Sequence, residues 1–273
     1  TSDGNTFYKT FAEFGYAIEL GSVSTGSITN NTIYGYDTAA ASDGSTSAGI
    51  YIENAFTSGY PATTKDVTIS GNEIYDCQEG ITIGNQFNGY AGNVDIVVTL
   101  TGNNIHDNLD LGVLITDEDA AAGSSVTVNA SNNMLTNNGD AGYFIYTIGD
   151  GNITANISDD TISGNDIGVY MNDYDPTPPT GSTYAVTLYH NSVTGNGTAG
   201  VQNDYTGSII DATDNWWGCP EGPGNPGCDP AVGGTAIDPS SPCTDPTCSN
   251  TRYEICPPIP VGGSPYHNLD WTV

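Results

Sequence analysis

The sequence predicts an all-β solenoid, in which short parallel strands wind into a coil of about seven rungs. Three observations lead to this prediction. Two short motifs alternate along residues 15–218, apolar segments between them alternate with polar residues at period two, and proline and cysteine are concentrated after residue 218. The chain has 273 residues, a length that β-rich domains often reach as one unit.

The first motif is Asn, any residue, then an apolar residue. From the second occurrence onward its positions are 31, 30, 27, 31 and 24 residues apart. Asn tolerates a left-handed turn better than most residues, and stacked Asn side chains form hydrogen-bonded ladders, so we expect each motif at a corner of the coil. The motif begins at Asn31, Asn72, Asn103, Asn133, Asn191 and Asn215, with Asp160 in the same position once.

The second motif is Gly, an apolar residue, any residue, then an apolar residue, and Gly is expected to supply a second sharp corner. A third apolar segment precedes most Asn motifs and alternates with polar residues, as a half-buried strand does. Three strands per turn, stacked at about 4.8 Å, bury their apolar faces only against neighbouring rungs. The Gly motif begins at Gly15, Gly49, Gly80, Gly112, Gly142 and Gly168, and more weakly at Gly200.

These repeats resemble the right-handed parallel β-helix repeats of the pectin-lyase-like superfamily, in its secreted, non-catalytic form. The run 214–218, Asp-Asn-Trp-Trp-Gly, followed by Gly222 and Pro223, resembles the motif that ends the coil in secreted members. The resemblance covers about residues 15–220 and implies a right-handed parallel β-helix. Because this fold hosts lyases, hydrolases, epimerases, adhesins and structural proteins, the resemblance implies no single activity.

Three regions are predicted: an N-terminal arm or cap over residues 1–14, the β-helix over 15–218, and an irregular tail over 219–273. The tail carries 11 of the 15 Pro and five of the six Cys. We expect disulfides there, with Cys219 and Cys228 as a local pair and Cys77 either clamping the tail to the rod or linking subunits. The cysteines are Cys77, Cys219, Cys228, Cys243, Cys248 and Cys256.

The composition of the chain excludes two classes of partner and indicates the compartment in which the protein works. Three Lys and Arg against 32 Asp and Glu give a net charge of −29, which excludes extensive binding to nucleic acid. No apolar run approaches the roughly 20 residues that span a bilayer, so no membrane insertion is expected. Clustered cysteines and a first residue other than Met predict a mature, exported chain that is extracellular or on the cell surface.

Two kinds of polar site are predicted on the coil. Carboxylates that follow Gly-motif strands are expected to stack on one face, where a hard cation such as Ca²⁺ relieves their repulsion; the alternative is a solvated acidic face. The predicted ligands are Asp117, Asp119, Asp173 and Asp175. Five Asn-x-Ser/Thr sequons predict N-glycosylation sites in an extracellular chain, at Asn30, Asn129, Asn152, Asn156 and Asn196.

No catalytic residue is predicted, and the chain is not expected to be an enzyme. The resemblance implies that a lyase of this fold would need a basic residue beside an acidic cluster. The chain has three basic residues, Lys9, Lys65 and Arg252, and none lies in such a pattern. The Gly-His-Gly and Arg-x-Lys motifs of the related glycosidases are missing as well.

A structural role fits this set of features. We predict a self-assembling subunit of an extracellular filament, sheath or surface layer, whose partner is another copy of itself. The predicted interface lies in the two arms, at Phe7, Phe11, Phe14, Trp271 and Val273. The alternative is a secreted protein that binds or processes a surface polysaccharide, and a third possibility is an adhesin-like module.

Overall fold

The computed structural model describes residues 1–10, 13–38, 46–54, 63–85, 94–117, 125–147, 152–173, 183–205, 207–233 and 236–249. These residues form 24 β-strands in three parallel sheets, which we name sheets A, B and C. From β1 to β21, strands that follow one another in the chain enter sheets A, B and C in turn, and the strands inside each sheet pair with those one turn before and after them. The predicted right-handed parallel β-helix is therefore confirmed.

Sheet A has nine strands and sheet B has seven. The strands of sheet A are β1 (Ser2–Asp3), β4 (Gly26–Thr29), β7 (Thr63–Ser70), β10 (Val94–Thr101), β13 (Val126–Ser131), β16 (Asn152–Ser158), β19 (Thr183–Tyr189), β22 (Ile210–Asp211) and β24 (Ile237–Asp238). Those of sheet B are β2 (Thr6–Tyr8), β5 (Thr32–Tyr34), β8 (Glu73–Tyr75), β11 (Asn104–His106), β14 (Met134–Thr136), β17 (Thr161–Ser163) and β20 (Ser192–Thr194).

Sheet C has eight strands, which follow the Gly motifs. They are β3 (Tyr16–Leu20), β6 (Ala48–Ile52), β9 (Glu79–Asn85), β12 (Leu111–Asp117), β15 (Ala141–Thr147), β18 (Ile167–Asp173), β21 (Ala199–Asn203) and β23 (Ala231–Val232). Seven successive triplets, from β1–β3 to β19–β21, agree with the predicted rung number. Strands β1 and β2 lie within the predicted arm, and β23 and β24 within the predicted tail, so the solenoid extends beyond both predicted boundaries.

The core consists of columns of apolar side chains, one residue from each rung, that point into the coil. Each column buries its members against the rungs above and below, which is why no rung is stable by itself. One column of sheet A contains Ile28, Ile69, Leu100, Ala130, Ile157 and Leu188, all at most 2% exposed.

The Asn motif forms a buried ladder at the corner between sheets A and B. The side-chain amide of Asn72 donates to Oδ1 of Asn103 at 2.9 Å, and the amide of Asn103 donates to Oδ1 of Asn133 at the same distance. The left-handed residue is the one before each ladder Asn, for example Asn30 (φ 54°) and Gly102 (φ 64°). The predicted corner is confirmed in place, but the motif Asn serves the ladder, whereas its predecessor makes the turn.

The glycines of the second motif do not make turns. Gly80 lies in β9 with an ordinary negative φ, and a Cβ atom there would lie 2.6 Å from the carbonyl oxygen of Gly112 on the next rung. The same Cβ would lie 3.0 Å from the side-chain amide of Asn108. Glycine is therefore required for close approach between rungs, which corrects the expectation of a glycine corner.

A second buried ladder lies beside these glycines. The amide of Asn108 donates to Oδ1 of Asn138 at 2.9 Å, and that of Asn138 donates to Oδ1 of Asn165 at 3.0 Å. The amide of Asn165 donates to Asn196, whose own amide donates to Oδ2 of Asp229 at 2.7 Å. The two sequence motifs do not include this ladder, although the chain carries a signal for it: each of its Asn residues stands five positions after a member of the first ladder.

Candidate functional site

The N-terminal end of the rod carries a cavity of about 270 Å³ with walls of mixed polarity. Its lining combines the apolar Ile18, Leu20 and Ile28 with Thr1, Ser2 and the Ser-Thr-Gly-Ser run over residues 24–27. Ile18 and Leu20 are only partly buried, whereas their counterparts one rung further on, Ile50 and Ile52, are fully buried. Within the described residues, β1, β2 and β3 each pair with a strand on one side only. This end therefore combines unpaired backbone groups with exposed apolar core.

The predicted interface residues divide into three groups. Phe7 lies in β2, in register with the buried Ile33, and packs against the core, so it belongs to the first rung rather than to an arm. Phe14 is 39% exposed and contacts Tyr16 edge-to-face, with ring centroids 5.3 Å apart. Phe11, Trp271 and Val273 lie outside the described residues.

A second cavity, of about 250 Å³, opens on the outer face of sheet C. Its walls combine three acids with apolar and aromatic side chains: Glu79, Asp110, Leu111, Leu114, Asp140, Phe144 and Tyr146. The Phe144 ring lies 5.2 Å from Tyr146 and stacks 5.0 Å from Tyr170 on the next rung. A site with aromatic surface beside several convergent acceptors has the composition of a small-molecule pocket.

The acids of this cavity belong to a column at the start of sheet C. The backbone N–H of Asp140 donates to the Asp110 carbonyl at 2.7 Å, and the N–H of Ile167 donates to the Asp140 carbonyl, so Asp110, Asp140 and Asp166 occupy successive rungs. Partial burial, followed by the charges of Asp110 and Asp166, raises the pKa of Asp140. Gln78 donates a hydrogen bond to Asp110, and Thr198 donates one to Asp166 at 2.7 Å. Asp140 lies between these two carboxylates in the column.

Of the predicted calcium ligands, Asp117 is the one whose side chain the structure describes, and it is buried. Asp117 is 1% exposed at the end of β12, and its Oδ2 accepts the backbone N–H of Asn152 at 3.2 Å. It is part of the corner that joins sheet C to sheet A, which corrects its assignment to a surface face. Asp173 ends β18, while Asp119 and Asp175 lie outside the described residues. Within the described ranges, no three His, Cys, Asp or Glu residues are placed to hold a metal ion.

The five sequons differ in accessibility. Asn129 and Asn156 are exposed neighbours on sheet A, where the amide of Asn156 donates to Oδ1 of Asn129 at 2.9 Å. Asn152 lies on the same outer face and accepts from Thr183 at 2.6 Å, and Asn30 is exposed at a turn. Asn196 is 8% exposed, and its amide is held in the second ladder by the Ile162 carbonyl and Asp229. Four sequons are therefore reachable, and the prediction for Asn196 is corrected.

The cysteines pair locally. Cys219–Cys228 forms the predicted disulfide, and Cys243–Cys248 forms a second, with Cα atoms 5.2 and 4.9 Å apart. Cys77 is a buried free thiol, which corrects the expectation that it clamps the tail or links subunits. Its backbone N–H donates to Oδ1 of Asn108, so Cys77 occupies the position before the first Asn of the second ladder. Cys256 lies outside the described residues.

An aromatic column runs along the outer face of sheet B. Tyr8 stacks on Tyr34 with centroids 5.6 Å apart, Tyr34 on Tyr75 at 5.1 Å, and Tyr75 on His106 at 5.3 Å. Because neighbouring rings cover each other's faces, the column presents ring edges and hydroxyls along the rod. The exception is Tyr8, which is 57% exposed on the first rung.

In the described part of the chain, one basic side chain is fully buried. Lys65 points into the coil from β7 and donates to the carbonyls of Leu20 and Glu53. Burial lowers the pKa of Lys65 to about 8, against the opposing effect of the nearby Glu53 and Glu19. The ammonium group therefore caps strand-end carbonyls, and it is not placed as a base on the surface of sheet C.

The comparisons with known proteins agree with this architecture. No curated protein and no solved structure gives a significant match to the chain. Among the residues that the structure describes, no helix has the length and apolar character needed to cross a membrane. The sequence model of the family described as "Right handed beta helix region" matches residues 1–183, about two thirds of the chain. The chain therefore belongs to the right-handed β-helix family.

Proposed function

We propose that the protein is a subunit of an extracellular filament, in which the N-terminal end of one copy receives the C-terminal segment of the next. The observation that carries this proposal is the N-terminal cavity of about 270 Å³ beside the unpaired edges of β1, β2 and β3. An open sheet edge beside partly buried core residues such as Ile18 and Leu20 is a template for a strand from another chain.

Within residues 250–273, the stretch 269–273 has the pattern that such a strand needs. Leu269, Trp271 and Val273 alternate there with polar residues, while the four prolines of the segment lie before residue 266. Their contact with a neighbour would be heterologous, because two different surfaces meet, and contacts of this kind propagate into filaments. Two disulfides in the C-terminal region support an oxidising, extracellular setting.

The test is negative-stain electron microscopy of the full chain and of a variant that ends at Ser249. We expect filaments from the full chain and isolated rods from the shortened one, with the same circular dichroism. A synthetic peptide of residues 250–273 should cap growing filaments and shorten them. A scrambled peptide of the same composition is the control. Filaments that survive the truncation, or isolated rods from the full chain, would refute the proposal.

A second candidate function is the binding of a neutral polysaccharide by the cavity on sheet C. Its carboxylates accept hydrogen bonds from sugar hydroxyls, and its aromatic rings supply apolar surface. With a net charge of −29 the chain repels polyuronates, so neutral glycans are the better ligands. Asp110 and Asp140 stand on adjacent rungs, whose backbones are about 4.8 Å apart, and retaining glycosidases use two carboxyls about 5–5.5 Å apart, so hydrolysis is tested on the same substrates.

A panel of neutral polysaccharides, read by isothermal titration and by release of reducing ends, tests this candidate. We expect Tyr146→Ala to weaken binding by tenfold or more, while Tyr189→Ala, which removes an exposed Tyr from sheet A, leaves it unchanged. If no member of the panel produces heat, the candidate fails. Heat without reducing ends would establish binding and exclude hydrolysis of that panel.

A further inference from the structure

We infer that the outer face of sheet A is a side-by-side contact between two copies of this chain. The inference rests on the proposed function and extends it, because end-to-end contacts alone would give a filament one rod wide. It is carried by three observations: the regular lattice of the face, its low charge, and its area.

The face is a grid of short side chains. Four strands, β7, β10, β16 and β19, contribute four outward positions each, and β13 contributes three, with Ser125 directly before it as the twentieth position. Of these 20 positions, fifteen are Ser, Thr or Asn, two are Asp, and three are Val97, Ala185 and Tyr189. One complete column of the grid reads Thr68, Thr99, Asn129, Asn156 and Thr187.

The low charge of this face permits contact between copies. The chain carries 32 acidic residues, and two copies repel each other wherever their carboxylates meet. The grid holds two of those acids, Asp66 and Asp95, and both lie toward the N-terminal corner of the face, on β7 and β10. The three later strands of the grid contribute no charged outward residue, so a second copy can approach there.

The partner is a second copy because the lattice of the face fits itself. Hydroxyl and amide groups repeat at about 4.8 Å along the rod and about 6.7 Å along each strand. Only a surface with the same rung spacing keeps these groups in register over five rungs. Short polar side chains allow two sheets to pack closely, as Asn and Ser/Thr ladders do in stacked β-structure.

The area is sufficient for a repeated contact. Five rungs at about 4.8 Å and seven residues at about 3.3 Å give a face of roughly 550 Å². Two such faces bury roughly 1,100 Å², at the lower limit of specific interfaces. The C-terminal border of the face is mixed: Ile209 is 62% exposed beside Ala185 and Tyr189 is 43% exposed, while the exposed Asp211 of β22 lies in register with Thr187. A contact of this size is weak for a single pair and gains strength when it recurs along a filament.

This packing excludes N-glycans from the same surface. Asn129 and Asn156 occupy the middle of the grid, and Asn152 its edge. A glycan on Asn129 or Asn156 is far larger than the gap between packed sheets and would hold the copies apart. The inference therefore requires that both residues are unmodified in the assembled protein.

The test adds charge to the face. Thr99→Glu and Thr127→Glu together place four carboxylates in the contact between two copies and leave the core untouched. Thr136→Glu and Thr161→Glu, on the outer face of sheet B, form the matched control. We expect filaments two rods wide from the wild type and the control, and one rod wide from the sheet A variant. Unchanged width in the sheet A variant, or wild-type filaments one rod wide, would overturn the inference.

Sedimentation separates this inference from the proposed function. The chain that ends at Ser249 cannot make the proposed end-to-end contact, so we expect it to sediment as a dimer at high concentration. Adding Thr99→Glu and Thr127→Glu should make it a monomer. Dimers without filaments in the full chain would refute the proposed function and support the lateral contact. A monomer at all concentrations, or glycans on Asn129 or Asn156 of natively assembled protein, would overturn the lateral contact.

Discussion

The hydroxyl of Tyr143 donates a hydrogen bond of 2.6 Å to Oδ2 of Asp160 inside the solenoid. Tyr143 occupies an inward position of sheet C that holds Val113 and Val169 on the adjacent rungs. A fully buried hydroxyl needs an acceptor. The carboxylate supplies one through Oδ2, while its Oδ1 accepts from the amide and the backbone N–H of Asn133 as a ladder Asn would. The single Asp of the first ladder thus pairs with the single Tyr of this core column.

This pair predicts a pH-dependent stability. Burial raises the pKa of Asp160 to about 6, above the 3.8 of an unperturbed Asp. The folded state therefore binds more protons between about pH 4 and 6, and stability from this group falls as the pH rises through that window. Above it the charged form costs at most about 3 kcal/mol. Asp160→Asn should stabilise the protein at pH 7 but not at pH 4, as measured by thermal unfolding.

Asp66→Asn is the control for this prediction, because it removes the same charge from an exposed residue of β7, three rungs away from Asp160. It should shift the melting temperature similarly at both pH values. An equal effect of Asp160→Asn at pH 4 and pH 7 would contradict the assignment of a raised pKa to Asp160.

The first ladder predicts that the adjacent residues Asn103 and Asn104 contribute very differently to the free energy of unfolding. Asn103→Ala removes the acceptor of two Asn72 donors and the donor to Ile69 and Asn133, all buried. Buried groups without partners cost about 1–3 kcal/mol each, so we expect a loss of roughly 3–6 kcal/mol in urea unfolding. Asn104→Ala, which points outward from β11, should change stability by less than about 1 kcal/mol. Equal losses from both variants would show that the ladder contributes little.

The burial of Cys77 predicts that its thiol reacts slowly with alkylating reagents in the native protein. Burial raises the pKa of Cys77 to about 12, and the residue is fully buried. Since the thiolate is the reactive form, iodoacetamide should leave Cys77 unmodified in the native protein and label it in urea. A cysteine introduced by Thr136→Cys on the outer face of sheet B should react under both conditions. Rapid native labelling of Cys77, read by peptide mass spectrometry, would contradict its burial.

Glycosylation should discriminate among the sequons. If a monomeric form of the chain is secreted from a glycosylating host, oligosaccharide is expected at exposed positions and not at Asn196. The amide of Asn196 is enclosed by Ile162 and Asp229, and attachment of a sugar would remove a ladder bond. Glycopeptide mass spectrometry measures the occupancy. Substantial occupancy of Asn196, with Asn30 as the exposed comparison, would mean that modification precedes folding of the ladder.

Periodic features of this protein were predictable from its sequence. The spacing of Asn72, Asn103 and Asn133 repeats once per turn, and inward Ile and Val residues alternate with polar ones, so fold and rung number followed directly. The roles of individual motif residues were less accessible. Gly80 reads as a turn in the sequence but serves the approach of Gly112, because a missing Cβ has the same signature in both cases.

Contacts that cross the coil are not marked by a repeated pattern in the sequence, unlike the ladders and the strands. Tyr143 lies in sheet C and Asp160, 17 residues later, lies at the corner between sheets A and B, so their pairing depends on the width of the coil. The cavity on sheet C joins Glu79, Asp110 and Asp140, which are spread over three turns without a motif. The second ladder was within reach, since the interval of five residues from Asn103 to Asn108 recurs on later rungs. That interval also explains why Cys77, five residues after Asn72, is buried rather than bonded to the tail.

Asp229, the last residue of the second ladder, shows how that ladder ends. Every Asn in that ladder accepts from the previous turn and donates to the next. Asp229 accepts from Gly195 and Asn196 but has no side-chain N–H to pass on. A carboxylate does not by itself stop a ladder, because the backbone N–H of Asp160 still donates to Oδ1 of Asn191 at 2.9 Å and the first ladder continues. At Asp229 the backbone N–H donates instead to the Trp217 carbonyl, so the second ladder has no donor left there for a further rung.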